Sequence, residues 1–112
     1  MELNTSAKPQ MTPFKRHIFV CVGEKCAAAG VGHEVYDYLK ERLRQGSADP
    51  DLKLVKRSQS ECLRTCQGGP ISVVYPEGVW YCHLTKEKVD RILEEHLKKG
   101  NPVKEWVFFP PQ

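Results

Sequence analysis

The sequence lacks any long hydrophobic segment, and no uninterrupted apolar run comes near the roughly 18 residues that a membrane-spanning helix needs. It also lacks a strong excess of one charge, because 17 Lys and Arg residues alternate with 14 Asp and Glu residues. With 112 residues, the chain can build one hydrophobic core but not two. We therefore expect one soluble cytoplasmic domain without membrane attachment, and a multidomain enzyme is excluded.

The sequence also offers little support for nucleic-acid binding. The nearest candidate for a basic patch of one sign contains Lys53, Lys56 and Arg57, and no aromatic residue lies near these three in the sequence. Surfaces that bind single-stranded nucleic acid combine positive charge with aromatic rings on which bases stack. We therefore expect no nucleic-acid partner.

Cysteine is present in an informative amount and pattern. Five cysteines among 112 residues are fewer than the roughly 8–10% that marks a disulfide-stapled secreted domain. Four of them form two close pairs, C-x4-C at Cys21 and Cys26 and C-x3-C at Cys62 and Cys66. No pair has the C-x-x-C spacing of dithiol oxidoreductases, which argues against a thiol–disulfide exchange enzyme. Paired cytoplasmic thiols of this kind favour a metal site.

The hydrophobic pattern predicts an α/β fold. Residues 17–22 indicate a buried strand that ends at the first cysteine pair, and the four-residue spacing of Val35, Leu39 and Leu43 indicates an amphipathic helix. A strand at 52–56, a cysteine loop at 62–70, a hairpin at 71–84 and a helix that begins after Thr85 follow. The order β-α-β-(Cys loop)-β-β-α predicts a thioredoxin-like mixed sheet flanked by helices. The apolar segment 103–109 should dock on this sheet or on a second subunit.

The two cysteine pairs predict a site with four thiolate ligands. Structural zinc sites with four cysteines usually have tighter pairs, most often with two intervening residues. The wider spacings suit a 2Fe-2S cluster, in which each iron takes two cysteine thiolates. The residues alone favour iron and sulfur over zinc, and a structural four-thiolate zinc module stays open as the alternative.

Beyond the cysteines, the sequence resembles the thioredoxin-like 2Fe-2S ferredoxins. The resemblance covers roughly residues 15–108 and rests on the segments 17–21 (HIFVC), 62–70 (CLRTCQGGP), 73–81 (VVYPEGVWY) and 95–97 (EHL). It implies a ferredoxin domain over residues 15–109 after a flexible leader at 1–14. It also implies one 2Fe-2S cluster per chain, held by Cys21, Cys26, Cys62 and Cys66. The chain would then be a bacterial electron carrier, usually a homodimer, that serves redox partner proteins and has no catalytic residues.

The resemblance has one departure. Only residues 22–25 separate the first two cysteines, whereas many members of that family have a long loop there. The short spacing is similar to the thioredoxin-fold 2Fe-2S subunit of NADH-oxidising and hydrogenase complexes. Because that subunit carries an N-terminal helical extension, for which the 20 residues before Cys21 leave no room, we expect a stand-alone carrier.

Three further residues are alternative ligands. Cys82 is expected to be a small buried hydrophobic residue, as such thiols most often are. It is also a candidate for a replacement ligand. His33 and His83 would be ligands only in a Rieske-like variant of the site, in which two histidines replace two cysteines.

Overall fold

The computed structural model describes residues 8–23, 30–46, 48–61, 63 and 68–110. Its helices and strands follow the predicted sequence of elements, with additions before β2 and at the carboxyl end. They are β1 (Arg16–Cys21), α1 (Val31–Gln45), α2 (Pro50–Lys53), β2 (Val55–Ser60), β3 (Ser72–Tyr75), β4 (Val79–Tyr81), α3 (Lys86–Ile92) with a π-helical continuation (Leu93–Leu97), a 3-10 turn (Lys104–Trp106) and β5 (Val107–Phe109).

In the part of the chain that the structure describes, five strands form one mixed sheet in the order β2-β1-β3-β4-β5. β1 and β2 are parallel and are joined by the α1 crossover, whereas the other neighbouring strands are antiparallel. The α/β class and the thioredoxin-like arrangement of the sheet are therefore confirmed. No helix in these described ranges is long and apolar enough to cross a membrane.

The second strand lies further along the chain than predicted. The sequence placed it at 52–56, but residues 50–53 form the short helix α2, and β2 begins at Val55. Two local signals explain the helix: Pro50 stands in its first turn, and the Asp49 carboxylate accepts a hydrogen bond from the Asp51 N–H at 2.9 Å. β2 is an edge strand, so its polar residues, which lie beyond the end of the predicted strand, do not have to be buried on both sides.

The main core lies between the helices and one face of the sheet. β1 contributes Ile18 and Val20, and α1 contributes Leu39, which is fully buried. Complete burial of a leucine side chain stabilises the fold by roughly 1.5–3 kcal/mol. The predicted stripe of the last helix is buried as expected, and it consists of Val89, Ile92, Leu93, His96 and Leu97.

The carboxyl-terminal segment docks on its own sheet, which was one of the two predicted positions. β5 pairs antiparallel with β4, where Phe109 lies opposite Trp80. The rings of Trp80 and Phe108 meet edge to face with centroids 6.2 Å apart. This pairing covers the β4 edge of the sheet with backbone hydrogen bonds.

Candidate metal centre

Of the four predicted ligands, Cys21 alone lies within the described residues. It is the last residue of β1, and 1% of its surface is exposed. Its backbone N–H donates to the Ile71 carbonyl at 2.9 Å, and the N–H of Val22 donates to the Ser60 carbonyl at 2.7 Å. The end of β1 is therefore fixed by hydrogen bonds to the segments on both sides of it.

The chain that leads to the second cysteine pair begins beside Cys21. Ser60, the last residue of β2, is the register partner of Cys21 in the parallel pair. The next residue is Glu61, and the Cys21 thiol lies 3.8 Å from its carbonyl oxygen in donor geometry. The parallel pairing of β1 and β2 thus brings together the starting points of both cysteine segments.

Gly23 allows these two segments to touch. A Cβ atom on Gly23 would lie 1.9 Å from the carbonyl oxygen of Glu61 and 3.0 Å from its carbonyl carbon. A side chain therefore cannot be placed there unless one of the two backbones moves. The hydrophobic pattern did not predict this contact, and the position of Gly23 between β1 and Cys26 was the signal that could have been used.

A second glycine, Gly32, allows α1 to pack closely against Cys21 and Val22. A Cβ atom on Gly32, in the first turn of α1, would lie 2.7 Å from both the Cys21 carbonyl oxygen and the Val22 Cα. The first turn of the helix therefore packs directly against the backbone at the end of β1. Gly23 and Gly32 hold the Cys21 region from two sides, and the hydrophobic pattern did not predict either contact.

A small apolar cluster surrounds the Cys21 side chain. Cys21 and the fully buried Ile71 form its centre, and Leu63, Trp80 and Cys82 pack against them. We call these five residues the small core. Because Leu63 lies inside the C-x3-C segment and Ile71 follows it, both sides of the cysteine loop contribute to the surroundings of Cys21.

The far end of the cysteine loop is tied to the segment after β4. The carbonyl of Gly68, which has a φ of 75°, accepts a hydrogen bond from the His83 N–H at 2.7 Å. The Pro70 carbonyl accepts another from the Leu84 N–H at 3.1 Å, and the Gly69–Pro70 peptide bond is cis. The described residues that flank the loop therefore lie against one side of the small core.

The alternative ligands lie in different places. Cys82 follows β4 instead of lying within the predicted strand 79–84, and its half-buried thiol faces the Trp106 carbonyl oxygen at 4.0 Å. His83 is exposed beside Gly68, and His33 is exposed on α1. Cys26, Cys62 and Cys66 lie outside the described residues. Within the described ranges, no three His, Cys, Asp or Glu side chains form a metal-binding group.

The chemistry of these residues fits a thiolate-bound metal group. Cysteine sulfur is the soft donor that zinc and iron–sulfur centres prefer, and in the sequence one cysteine pair begins at the last residue of β1 and the other begins two residues after β2. Cys21 itself is buried among apolar side chains, which is the environment that tunes the potential of an iron–sulfur centre. The fold and the cysteine pattern together define a small thioredoxin-like protein whose paired cysteines suit a metal centre.

Comparisons with known proteins identify the family. The sequence profile of the thioredoxin-like 2Fe-2S ferredoxins matches residues 9–97. A 2Fe-2S ferredoxin from Aquifex aeolicus (strain VF5) is 39% identical over 106 residues, which cover 87% of this chain and 91% of that protein. A 2Fe-2S ferredoxin from Clostridium pasteurianum is 33% identical over 97 residues, which cover 80% of this chain and 92% of that protein. The chain belongs to the thioredoxin-like 2Fe-2S ferredoxin family.

A solved structure agrees with the family assignment. The crystal structure of the wild-type thioredoxin-like 2Fe-2S ferredoxin from Aquifex aeolicus superposes with a TM-score of 0.69 at 35% sequence identity, covering 87% of this chain and 98% of that one. The predicted cofactor and the predicted class of function are thereby confirmed, because members of this family are small electron carriers with a 2Fe-2S cluster.

Proposed function

We propose that Cys21, Cys26, Cys62 and Cys66 hold one 2Fe-2S cluster per chain and that the protein passes single electrons between redox partner proteins. The observation that carries this proposal is the contact between Gly23 and Glu61, because these residues lead directly to Cys26 and Cys62. A 2Fe-2S cluster takes two cysteine thiolates on each iron, so the two cysteine pairs would supply a complete set of ligands.

The surroundings of Cys21 support the same assignment. When bound, the cluster supplies a site that accepts and releases one electron. The role of this chain is to bind the irons through deprotonated cysteines and to exclude water with the small core. Electron transfer of this kind needs no acid, base or nucleophile, so we propose that the domain at residues 15–109, after the leader at 1–14, has no catalytic residues.

We further propose that the protein acts in the cytoplasm as a homodimer. The sheet face opposite the main core presents several aromatic rings, among them Tyr75, which is 45% exposed, and Phe109, which is 54% exposed. Exposed apolar surface of this kind is typical of contacts between subunits. Size-exclusion chromatography with light scattering tests the proposal, since a monomeric mass would contradict it.

Cysteine-to-serine variants test the ligand set. Anaerobically purified protein should show visible absorption that dithionite bleaches, with about two irons and two sulfides per chain. Cys62→Ser and Cys66→Ser should lose or strongly weaken these bands. Cys82→Ser is the matched control and should keep them. A chromophore that is lost with Cys82 and retained without Cys62 would contradict the proposed ligands, and a colourless zinc-containing protein would contradict the function itself.

A further inference from the structure

A positively charged groove lies along the β2 edge of the sheet. Its volume is about 540 Å³, and it is bounded by α1, α2 and β2. Five of its lining side chains are cationic, and none of those that the structure describes there is acidic. We call these five residues the basic groove: Lys40, Arg44, Lys53, Lys56 and Arg57.

Most of these charges have no carboxylate partner. Arg44 is paired with Glu41 on the same helix. Among the residues that the structure describes, Lys40, Lys53, Lys56 and Arg57 form no ion pair, although other basic residues do, such as Lys15 with Asp51. The basic groove therefore concentrates positive charge on a chain whose net charge is only +3.

Two of the cations are held in place by aromatic rings. The Lys56 ammonium lies 4.9 Å from the centroid of Phe14, and the Arg57 guanidinium lies 5.7 Å from that of Tyr36. Arg57 also donates a hydrogen bond to the Tyr36 hydroxyl at 2.8 Å. These contacts orient the charges before a partner arrives, which reduces the conformational entropy lost on binding.

The groove lies close to Cys21. Ser58, the lining residue furthest along β2, is two residues before Ser60, the register partner of Cys21. At the ~3.3 Å rise of a parallel strand, this separation is about 7 Å along β2. A protein bound in the groove would therefore lie beside the strand pair whose ends carry the proposed centre.

We propose that the basic groove is the docking site for a redox partner that presents a cluster of Asp and Glu side chains. The inference rests on the proposed function and names the kind of partner that the function requires. Opposite charges on two protein surfaces accelerate and orient their encounter. Four cations that form no ion pair with the described residues, two of them held by aromatic rings, provide one half of such a pair.

The arrangement favours an acidic protein over a nucleic acid. Stacking with bases needs open aromatic faces. Tyr36 is only 7% exposed, and Phe14 is 40% exposed with the Lys56 ammonium over its ring. Neither ring lines the groove, and none of the described lining residues is Phe, Tyr or Trp. The described lining of the groove thus presents positive charge without a Phe, Tyr or Trp ring on which a base could stack.

Two variants of equal charge test this proposal. Lys40→Gln/Lys53→Gln removes two exposed cations from the groove, and Lys99→Gln/Lys104→Gln removes two exposed cations outside it. The reduced proteins are mixed with cytochrome b5, an acidic haem protein, and with cytochrome c, a basic one. Haem reduction is followed at several salt concentrations. Visible absorption of each variant before mixing checks that the centre is loaded.

The groove variant should reduce cytochrome b5 roughly fivefold or more slowly than the wild type at low ionic strength. The difference should fade near 0.5 M salt, where the Debye length falls to only a few ångströms. The outside variant should stay within about twofold of the wild type. Equal slowing in both variants would overturn the proposal, because the rate would then depend on net charge alone. The absence of slowing in both variants would also overturn it, because charge would then have no effect on the rate.

A binding measurement keeps this test separate from the electron-transfer function. Calorimetric titration of oxidised cytochrome b5 into the protein requires no cluster chemistry, and the groove variant should bind several-fold more weakly than the outside variant. If the protein carried no cluster, the proposed function would be wrong. The titration would still show whether cytochrome b5 binds in the basic groove. A single-stranded oligonucleotide that binds the intact groove more tightly than cytochrome b5, and loses this binding in the groove variant, would contradict the proposal that the partner is an acidic protein.

Discussion

The Tyr81 hydroxyl and the Nδ1 atom of His96 are 2.8 Å apart in the main core, where both side chains are fully buried. The His96 Nε2 atom lies 3.1 Å from a carboxylate oxygen of Glu77, so this nitrogen carries the proton and donates. Nδ1 of the neutral ring then accepts from Tyr81, whose oxygen accepts from the Val103 N–H at 3.0 Å. The chain of bonds links β4, the last helix and the carboxyl-terminal segment.

Replacing Tyr81 with Phe should destabilise the fold. The change removes the hydroxyl that serves both Nδ1 of His96 and the N–H of Val103, so two buried polar groups lose their partner. A buried group left without a partner costs about 1–3 kcal/mol. Urea denaturation of the Tyr81→Phe variant should therefore show a midpoint clearly below that of the wild type.

Tyr38→Phe is the matched control for this prediction. The Tyr38 hydroxyl donates to both Asp90 carboxylate oxygens at 2.8 Å, but Asp90 is partly exposed and can bind water instead. Loss of the Tyr38 hydroxyl should therefore lower the free energy of unfolding by less than loss of the Tyr81 hydroxyl. Equal effects of the two variants would show that the buried network adds nothing beyond an ordinary surface hydrogen bond.

The stability of the protein should fall as the pH drops below about 6.5. Burial lowers the pKa of His96 from its ordinary value of 6.5, and this effect outweighs the opposite one of the Glu77 carboxylate. Below 6.5 the unfolded chain therefore takes up a proton that the folded chain resists, so the free energy of unfolding decreases. Above 6.5 both states hold a neutral ring, and this dependence disappears.

Variants separate His96 from other groups that titrate in the same direction. Burial and the charge of Lys56 also lower the pKa of His17, which adds a similar slope below 6.5. Burial opposes ionisation of Glu77, but hydrogen bonds from Arg16 and His96 lower its pKa overall, so its contribution is lost at more acidic pH. Denaturation between pH 5 and 8 should show a reduced slope in His96→Gln and a further reduction with His17→Gln. An unchanged slope in the double variant would contradict this origin.

Periodicity could predict most of the fold because it follows directly from burial. The stripe of Val89, Ile92 and Leu93 fixed the last helix, and the continuous apolar run around Val20 fixed the central strand. β2 was misplaced because an edge strand does not have to alternate apolar with polar residues. Its position follows from pairing with β1, which is a contact between distant residues.

The sequence alone predicts a set of cysteine ligands, but it does not predict the contacts that support the site. Cysteine spacing points to a metal from the sequence alone, whereas the close contacts of Gly23 and Gly32 arise only when β1, β2 and α1 are assembled. The basic groove shows the same limit. Phe14 and Tyr36 are distant in sequence from Lys56 and Arg57, so their ring contacts could not be read from neighbouring residues.

Removing the side-chain cap at the start of the last helix should lower the free energy of unfolding modestly. The Thr85 hydroxyl accepts a hydrogen bond from the Lys88 N–H at 3.2 Å at the start of α3. Thr85→Ala leaves this N–H without its partner and should cost about 1 kcal/mol. Thr12→Ala, at an exposed position outside the helices and strands, should leave the denaturation midpoint unchanged. Similar midpoints for the two variants would contradict the capping role.

A methyl group at position 23 should separate the two cysteine segments. The Cβ of Gly23→Ala would lie 1.9 Å from the Glu61 carbonyl oxygen, so one backbone must move, and overpacking of this kind costs about 1–3 kcal/mol. Because these backbones lead to Cys26 and Cys62, visible absorption per chain should fall along with stability. Gly46→Ala is the control, since its Cβ would first meet the flexible end of the Leu52 side chain at 2.6 Å. Full visible absorption in Gly23→Ala would mean that the approach of Gly23 to Glu61 does not position the cysteine ligands.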